Sequence, residues 1–195
     1  MRIGIWLCSG VTVLAFGCAS GKTTFNSKAD LQAAPPLTRV FVMSRVKNAG
    51  FNKNVYEGFD KGIREGFGSC GVQSEVMHVN DMDLDPDQRF AEALERFHPD
   101  AVLFVRQSGG NVIIGQYSTN SDLIIDMKFL APDAKKPFWH ARSEFTMTTE
   151  NMYRDDTATG TKFANDTIDR LQVDGLLKDC KARPQPPEQE VSHAR

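Results

Sequence analysis

No surplus of charge of either sign marks this sequence: its formal net charge is −2 and its pI about 6.1. That argues against nucleic acid as a partner, because a phosphate backbone demands a basic face. It also leaves little attraction to anionic lipid. A long hydrophobic run is missing as well. The uncharged apolar stretch from Ile3 to Gly17 is shorter than the roughly 20 residues a membrane-spanning helix needs. The histidines, His78, His98, His140 and His193, stand without a cysteine or a second histidine at zinc spacing. No serine sits in a Gly-x-Ser-x-Gly elbow. What remains is ordinary material for one core: 195 residues, 41% hydrophobic and 25% charged.

The N-terminus is informative. A basic tip, Met1-Arg2, precedes the apolar run containing Ile5, Trp6, Leu7, Val11, Val13, Leu14 and Phe16, and small residues close it. This is the layout of a secretory signal. Its end, Leu14-Ala15-Phe16-Gly17-Cys18, resembles the lipobox of bacterial lipoproteins, in which a small residue precedes an invariant cysteine. Leu is preferred three places before that cysteine, and Ala15 stands there. The resemblance implies diacylglycerol on the Cys18 sulfur, cleavage before Cys18 and acylation of the new amine. One acyl chain anchors only marginally, at about 0.8 kcal/mol per buried methylene, whereas three chains hold a protein permanently. Ala19, rather than Asp, follows the cysteine, and by the enteric sorting rule this points to the outer membrane. Ala15-Phe16-Gly17 also fits a small-x-small cleavage site, which would release a soluble chain.

Ser20-Gly21-Lys22-Thr23 imitates the end of a phosphate-binding loop, but Phe16 stands where that motif requires its first Gly. No nucleotide is expected. Residues 1–17 read as the signal peptide and 18–37 as a lipidated flexible tether, rich in Ser, Thr, Lys, Ala and Pro. Such a coil would hold the domain on the order of 25 Å from the lipid. Residues 38–180 read as a single mixed α/β domain and 181–195, with Arg183-Pro-Gln-Pro-Pro, as a disordered tail.

Within the domain, Val40–Met43 is a continuous apolar run, as in a strand covered on both faces. Val55, Phe59, Ile63 and Phe67 recur every four residues and predict a helix over 52–67. Gly58, Gly62 and Gly66 run beside that stripe and suggest close approach of the helix to the sheet. Val72–Val79 predicts a second strand. Asp85 as N-cap, Pro86 and a capping-box Gln88 start a second helix with Phe90, Ala93, Leu94 and Phe97 inward. After His98-Pro99-Asp100, Ala101–Val105 predicts a third strand. Ser108-Gly109-Gly110-Asn111 reads as a turn, followed by strands over 112–117, 123–129 and 139–147. Phe163, Ala164, Ile168 and Leu171 line a last helix over 161–174, capped by Gly175. The expected order is β-α-β-α-β-β-β-β-α, a mixed sheet with a parallel N-terminal half, antiparallel hairpins and helices packed on it. The stretches Phe97-His98-Pro99-Asp100-Ala101-Val102-Leu103 and Leu171-Gln172-Val173-Asp174-Gly175-Leu176-Leu177 resemble segments of the periplasmic α/β domain in penicillin-binding-protein-activator and curli-secretion lipoproteins. The resemblance is one of pattern, implies that fold, and transfers no functional site.

Chemistry is sparse. Asp81, Asp83, Asp85, Asp87 and Glu92 imitate a calcium loop, but Pro86 occupies the place that must be Gly. No catalytic group, metal or cofactor is assigned. With Cys8 in the removed segment and Cys18 lipidated, Cys70 and Cys180 are left, and two thiols in an oxidising compartment usually pair. The alternative is two buried thiols too far apart to bridge. The function expected is a non-enzymatic accessory or assembly factor of the cell envelope, held to a membrane by its N-terminal lipid. It would contact an envelope protein, or itself, through a sheet edge or the wet face of the hairpins. Two rivals stand beside it: a hydrolase or metal-dependent enzyme using Asp81, Asp83 and Asp156 with His78 or His140, and a secreted or periplasmic binding protein with a pocket lined by Trp139 and Phe145.

Overall fold

The computed structural model describes residues 21–46, 52–80, 82–115, 118–150 and 157–182. Cys18, the signal segment, Asp81, Asp156 and the tail from 183 onward lie outside them. The elements in chain order are β1 (Gly21–Ala29), β2 (Arg39–Arg45), α1 (Lys53–Ser69), β3 (Gln73–His78), α2 (Pro86–Phe97), β4 (Ala101–Ile114), β5 (Ser118–Leu130), β6 (Trp139–Glu150) and α3 (Thr157–Val173). They form one six-stranded sheet in the order β1-β6-β5-β4-β2-β3. β2 pairs in parallel with β3 and β4, and every other pairing is antiparallel. The mixed sheet with a parallel first half is therefore as expected.

Two strands differ from the sequence expectation. Residues 21–29, read as tether, form β1 along the outer edge of β6. Thr23, Phe25, Ser27 and Ala29 turn inward and are half-buried, while Lys22, Thr24, Asn26 and Lys28 are exposed. The alternation is that of a strand, but an inner row with two hydroxyl residues and an alanine carries little hydrophobic signal. Further on, the predicted strands over 101–105 and 112–117 are one long strand, β4. The strand continues through the glycine pair, with a bulge at Ser108, where the register against β5 shifts between Gln107 and Gly109. Gly110 has φ +119°, and a Cβ there would lie 2.1 Å from the Asp122 carbonyl oxygen. The order is thus β-β-α-β-α-β-β-β-α.

α1 and α3 cover the inner face of the sheet. Val55, Phe59, Ile63 and Phe67 of α1 and Phe163, Ala164, Ile168 and Leu171 of α3 are buried against Val40, Val42, Leu103, Ile125, Met127, Phe129 and Phe145. Burial of each large side chain is worth about 1.5–3 kcal/mol. Asn52 caps α1, its side chain accepting from the Val55 N–H at 3.0 Å. At the end of α3 Gly175, φ +81°, places its N–H on the Gln172 carbonyl and lets the Leu176 N–H reach Leu171, a Schellman ending. On the outer face α2 covers only a small cluster of Phe41, Val102, Met43, Met77 and Phe104. Asp85 precedes α2 but makes no side-chain cap bond, and Gln88 donates to Glu92 instead of reaching back. Pro86 supplies the start without the capping box.

The glycine stripe of α1 meets α3, not the sheet. A Cβ on Gly58 would sit 1.9 Å from the Thr157 carbonyl oxygen, on Gly62 2.6 Å from the Ala164 Cβ, and on Gly66 2.5 Å from Ile168. From the opposite helix, a Cβ on Gly160 would lie 1.9 Å from the Val55 carbonyl oxygen. Thr161 Oγ1 donates to the Gly58 carbonyl across this contact, at 3.1 Å. The partner of the stripe is invisible in its spacing, which says only that something comes close.

The Cys70–Cys180 disulfide is present, with Cα atoms 3.9 Å apart. It ties the C-cap of α1 to the segment after α3. The Lys181 N–H, donating to the Ser69 carbonyl at 2.9 Å, continues the tie. A cross-link spanning 110 residues removes unfolded-chain entropy worth a few kcal/mol.

Helix propensity alone would make Gly→Ala stabilising in α1. We expect Gly58→Ala to lower unfolding free energy by about 1–3 kcal/mol, through overpacking. Gly68→Ala, which would meet nothing within 4 Å, should raise it by roughly 0.5–1 kcal/mol. Urea denaturation of both variants, disulfide intact, reads the difference in sign.

Candidate interaction surface

The described residues that imitated catalytic or metal sites are dispersed, and several are engaged locally. Asp83 accepts from Arg89 at 3.0 Å and from the Asn80 N–H, which organises the turn before α2. Glu92 accepts from Gln88. His78, on edge strand β3, shares a 2.6 Å contact between its Nε2 and Asp60 of α1, and packs edge-on against Tyr56 with ring centroids 4.6 Å apart. Burial pushes the Tyr56 hydroxyl up to about 12, and it donates to the Val46 carbonyl. His140 is exposed on the outer face of β6, and three strands separate β6 from β3. Asp83, His78 and His140 therefore do not converge. Among the described residues no three His, Cys, Asp or Glu side chains gather where they could hold a metal ion. Gly21, Lys22 and Thr23 of the phosphate-loop look-alike lie inside a strand. Trp139 and Phe145 are fully buried core, so they line no open pocket.

The two segments carrying the resemblance to envelope-lipoprotein domains each contribute a structural carboxylate. Asp100 Oδ2 accepts from the Thr38 N–H, the Thr38 hydroxyl and the Arg39 N–H, each at 2.7 Å, and so fixes the start of β2 beside β4. Asp174 collects the Ser27 hydroxyl of β1 at 2.5 Å, the Trp139 indole N–H of β6 at 2.7 Å and Arg170 of α3. Arg170 Nε also donates to the Ser27 oxygen at 2.7 Å. Further along β1, the Thr23 hydroxyl donates to Asp166, which Lys162 also pairs at 2.6 Å. Burial raises both Asp174 and Asp100. Their hydrogen bonds, with the charge of Arg170 and of Arg39, outweigh it and hold both carboxyls below the usual range. Two hydroxyls on the inner row of β1 thus replace apolar side chains as the glue to α3. Neither partner, more than a hundred residues away, is readable from sequence.

With β1 fixed as its edge, the sheet presents an outer face that α2 does not reach. Lys22, Thr24, Asn26 and Lys28 of β1 lie in register with Thr146, Glu144, Arg142 and His140 of β6, and these with Asp122, Ile124, Asp126 and Lys128 of β5. Asp126 stands between Arg142 on one side and Arg106 of β4 on the other, an alternation of sign worth about 0.2–1 kcal/mol per pair. Where the cover of α2 ends, Met43, Arg45, Phe104, Arg106, Asp126 and Lys128 line an open groove of about 270 Å³. Among the side chains described, six cations (Lys22, Lys28, Arg45, Arg106, Lys128, Arg142) and three anions (Asp122, Asp126, Glu144) occupy this face, a surplus of three positive charges among them on a chain whose net charge is −2. The composition of the whole chain conceals this local surplus.

No protein-family model matches the sequence, nor does any curated protein. Among solved structures, the chain is similar to PelC from Paraburkholderia phytofirmans, a dodecamer, with a TM-score of 0.48 and 12% identity over 77% of this chain and 98% of that one. It is also similar to lipoprotein GNA1162 from Neisseria meningitidis, with a TM-score of 0.40 and 10% identity over 70% and 99%. A minor lipoprotein from Acinetobacter baumannii has a TM-score of 0.34 and 10% identity over 78% and 100%.

The depressed carboxyls set the acid behaviour. A carboxyl whose folded pKa lies below its unfolded value, about 3.9, contributes its full stability above that value and loses it as pH falls through the folded pKa. Stability should therefore be level above about pH 5 and decline below about pH 4. Asp174→Asn should cost about 1–3 kcal/mol at neutral pH and make the acid decline shallower. Thermal unfolding of both proteins between pH 3 and 7 checks this.

Proposed function

We propose that this chain is a lipoprotein of the bacterial cell envelope. It is anchored by lipid on Cys18, faces the periplasm from the outer membrane, and serves as a non-enzymatic accessory that docks an envelope protein. The observation that carries the docking role is the uncovered, net basic outer face formed by β1, β6, β5, β4 and the end of β2. A sheet that buries one face and leaves a broad charged row on the other has a surface suited to a partner with a local acidic patch, since complementary charge speeds encounter and fixes orientation. The anchor reading rests on the N-terminal sequence, where a basic tip and an apolar run end at Cys18, three positions before β1 begins. Among the described residues no helix is long and apolar enough to cross a membrane, so attachment falls to the lipid in this reading.

Mass spectrometry of the native protein should give a mature chain beginning at acylated Cys18. Cys18→Ser should abolish the lipid mass and leave the protein extractable in a salt wash. A tagged lipidated form, solubilised mildly from native membranes, should retain its partner. Reversal of charge at Arg142 and Lys128, Arg142→Glu with Lys128→Glu, should reduce that recovery several-fold while lowering the unfolding temperature by only about 2–4 °C, through loss of the Arg142–Asp126 pair. Recovery of monomer alone would sink the docking role, and recovery of a homo-oligomer would redirect it to self-association.

A further inference from the structure

β1 changes the geometry of the anchor. Read as coil, residues 18–37 would space the domain from the bilayer, but the strand starts at Gly21. An extended chain spans at most about 3.3–3.6 Å per residue, so Cys18 lies within roughly 11 Å of Gly21. The sheet register states what shares that end of the molecule. Gly21 pairs with Met147, Met147 with Ser121 and Ser121 with Val112. β4 then continues past this line to Ile113 and Ile114, which pair with Asn120 and Thr119 of β5. The end of β4 thus lies at the same end of the sheet as Gly21, one and two residues beyond the line on which Gly21 sits.

Ile113 and Ile114 are 66% and 77% exposed. Adjacent strand residues point to opposite faces, so a protein laid on one face of the sheet would cover one and leave the other in water. An apolar medium surrounding the end of the strand covers both. Resting on the reading that Cys18 carries lipid, we propose that Ile113 and Ile114 form a second membrane contact, dipping into the interfacial region of the leaflet that holds that lipid. The domain then stands on the bilayer with its strands pointing toward it, rather than drifting on a leash, and the charged outer face is held at a fixed attitude to the surface.

The full mature lipidated protein, reconstituted into phosphatidylethanolamine–phosphatidylglycerol vesicles with brominated acyl chains, tests this. An environment-sensitive fluorophore is placed at Ile114→Cys and, separately, at Lys28→Cys, seven residues along β1 from Gly21 toward the other end of the sheet. Both sites are exposed, and Cys70 and Cys180 are bonded to each other and do not compete for label. Quenching at position 114 several-fold above that at position 28 supports the contact. Equal, weak quenching at both positions in vesicles that still carry the protein overturns it and leaves the anchor standing. Cross-linking of position 114 to a second copy without quenching overturns it in favour of self-association. Failure to float with vesicles, together with a mature mass lacking lipid, overturns the anchor and this contact together.

Discussion

Everything in this domain is arranged around the closeness of α1 and α3. Two helices must cover the inner face of six strands, and they do so as one layer because Gly58 and Gly160 let each backbone meet the other with no side chain between them. That contact seats Phe59 over Phe163, stacked with centroids 5.8 Å apart, and Phe163 against Phe145 at 4.7 Å. It places α3 where Asp166 and Asp174 can hold β1. With both long helices committed to one side, only α2 remains for the other, and it covers the parallel strands alone. The bare outer face is therefore a consequence of how the inner face is filled.

How much of this was legible follows from the strength of each local signal. The helical stripes of α1 and α3 and the apolar runs of β2 and β4 announce themselves because burial there is complete and residue choice is restricted. β1 escapes because Thr23 and Ser27 face inward and are satisfied by carboxylates on α3 and just past its end, partners 143 and 147 positions away. Gly109-Gly110 looks like a turn because a strand passing close to Asp122 at positive φ asks for the same residue as a tight turn. The stripe at Gly58, Gly62 and Gly66 announces close approach, while its partner is a matter of topology.

The acidic residues show the same division. Spacing made Asp83, Asp85 and Glu92 resemble a ligand set, yet a helix start, an ion pair to Arg89 and a bond from Gln88 account for much of that pattern. The carboxylates with most influence on the fold, Asp100 and Asp174, sit in plain helix-stop sequences and reveal their role only through the groups that converge on them. The net basic face has no sequence signature at all. Its cations come from five strands, one or two each, and become neighbours only through register.

The disulfide and the start of β1 lie at opposite ends of the sheet, since Cys180 joins the C-terminal end of α1 while Gly21 leads the other way. A pull applied to Gly21 lengthwise, away from the disulfide, would run along the strands. In that direction β1 is loaded in shear: its nine-residue ladder with β6 resists as a set, whereas a sideways pull would open it bond by bond. The β1–β6 edge is thus stronger lengthwise than crosswise, like a tie rather than a hinge.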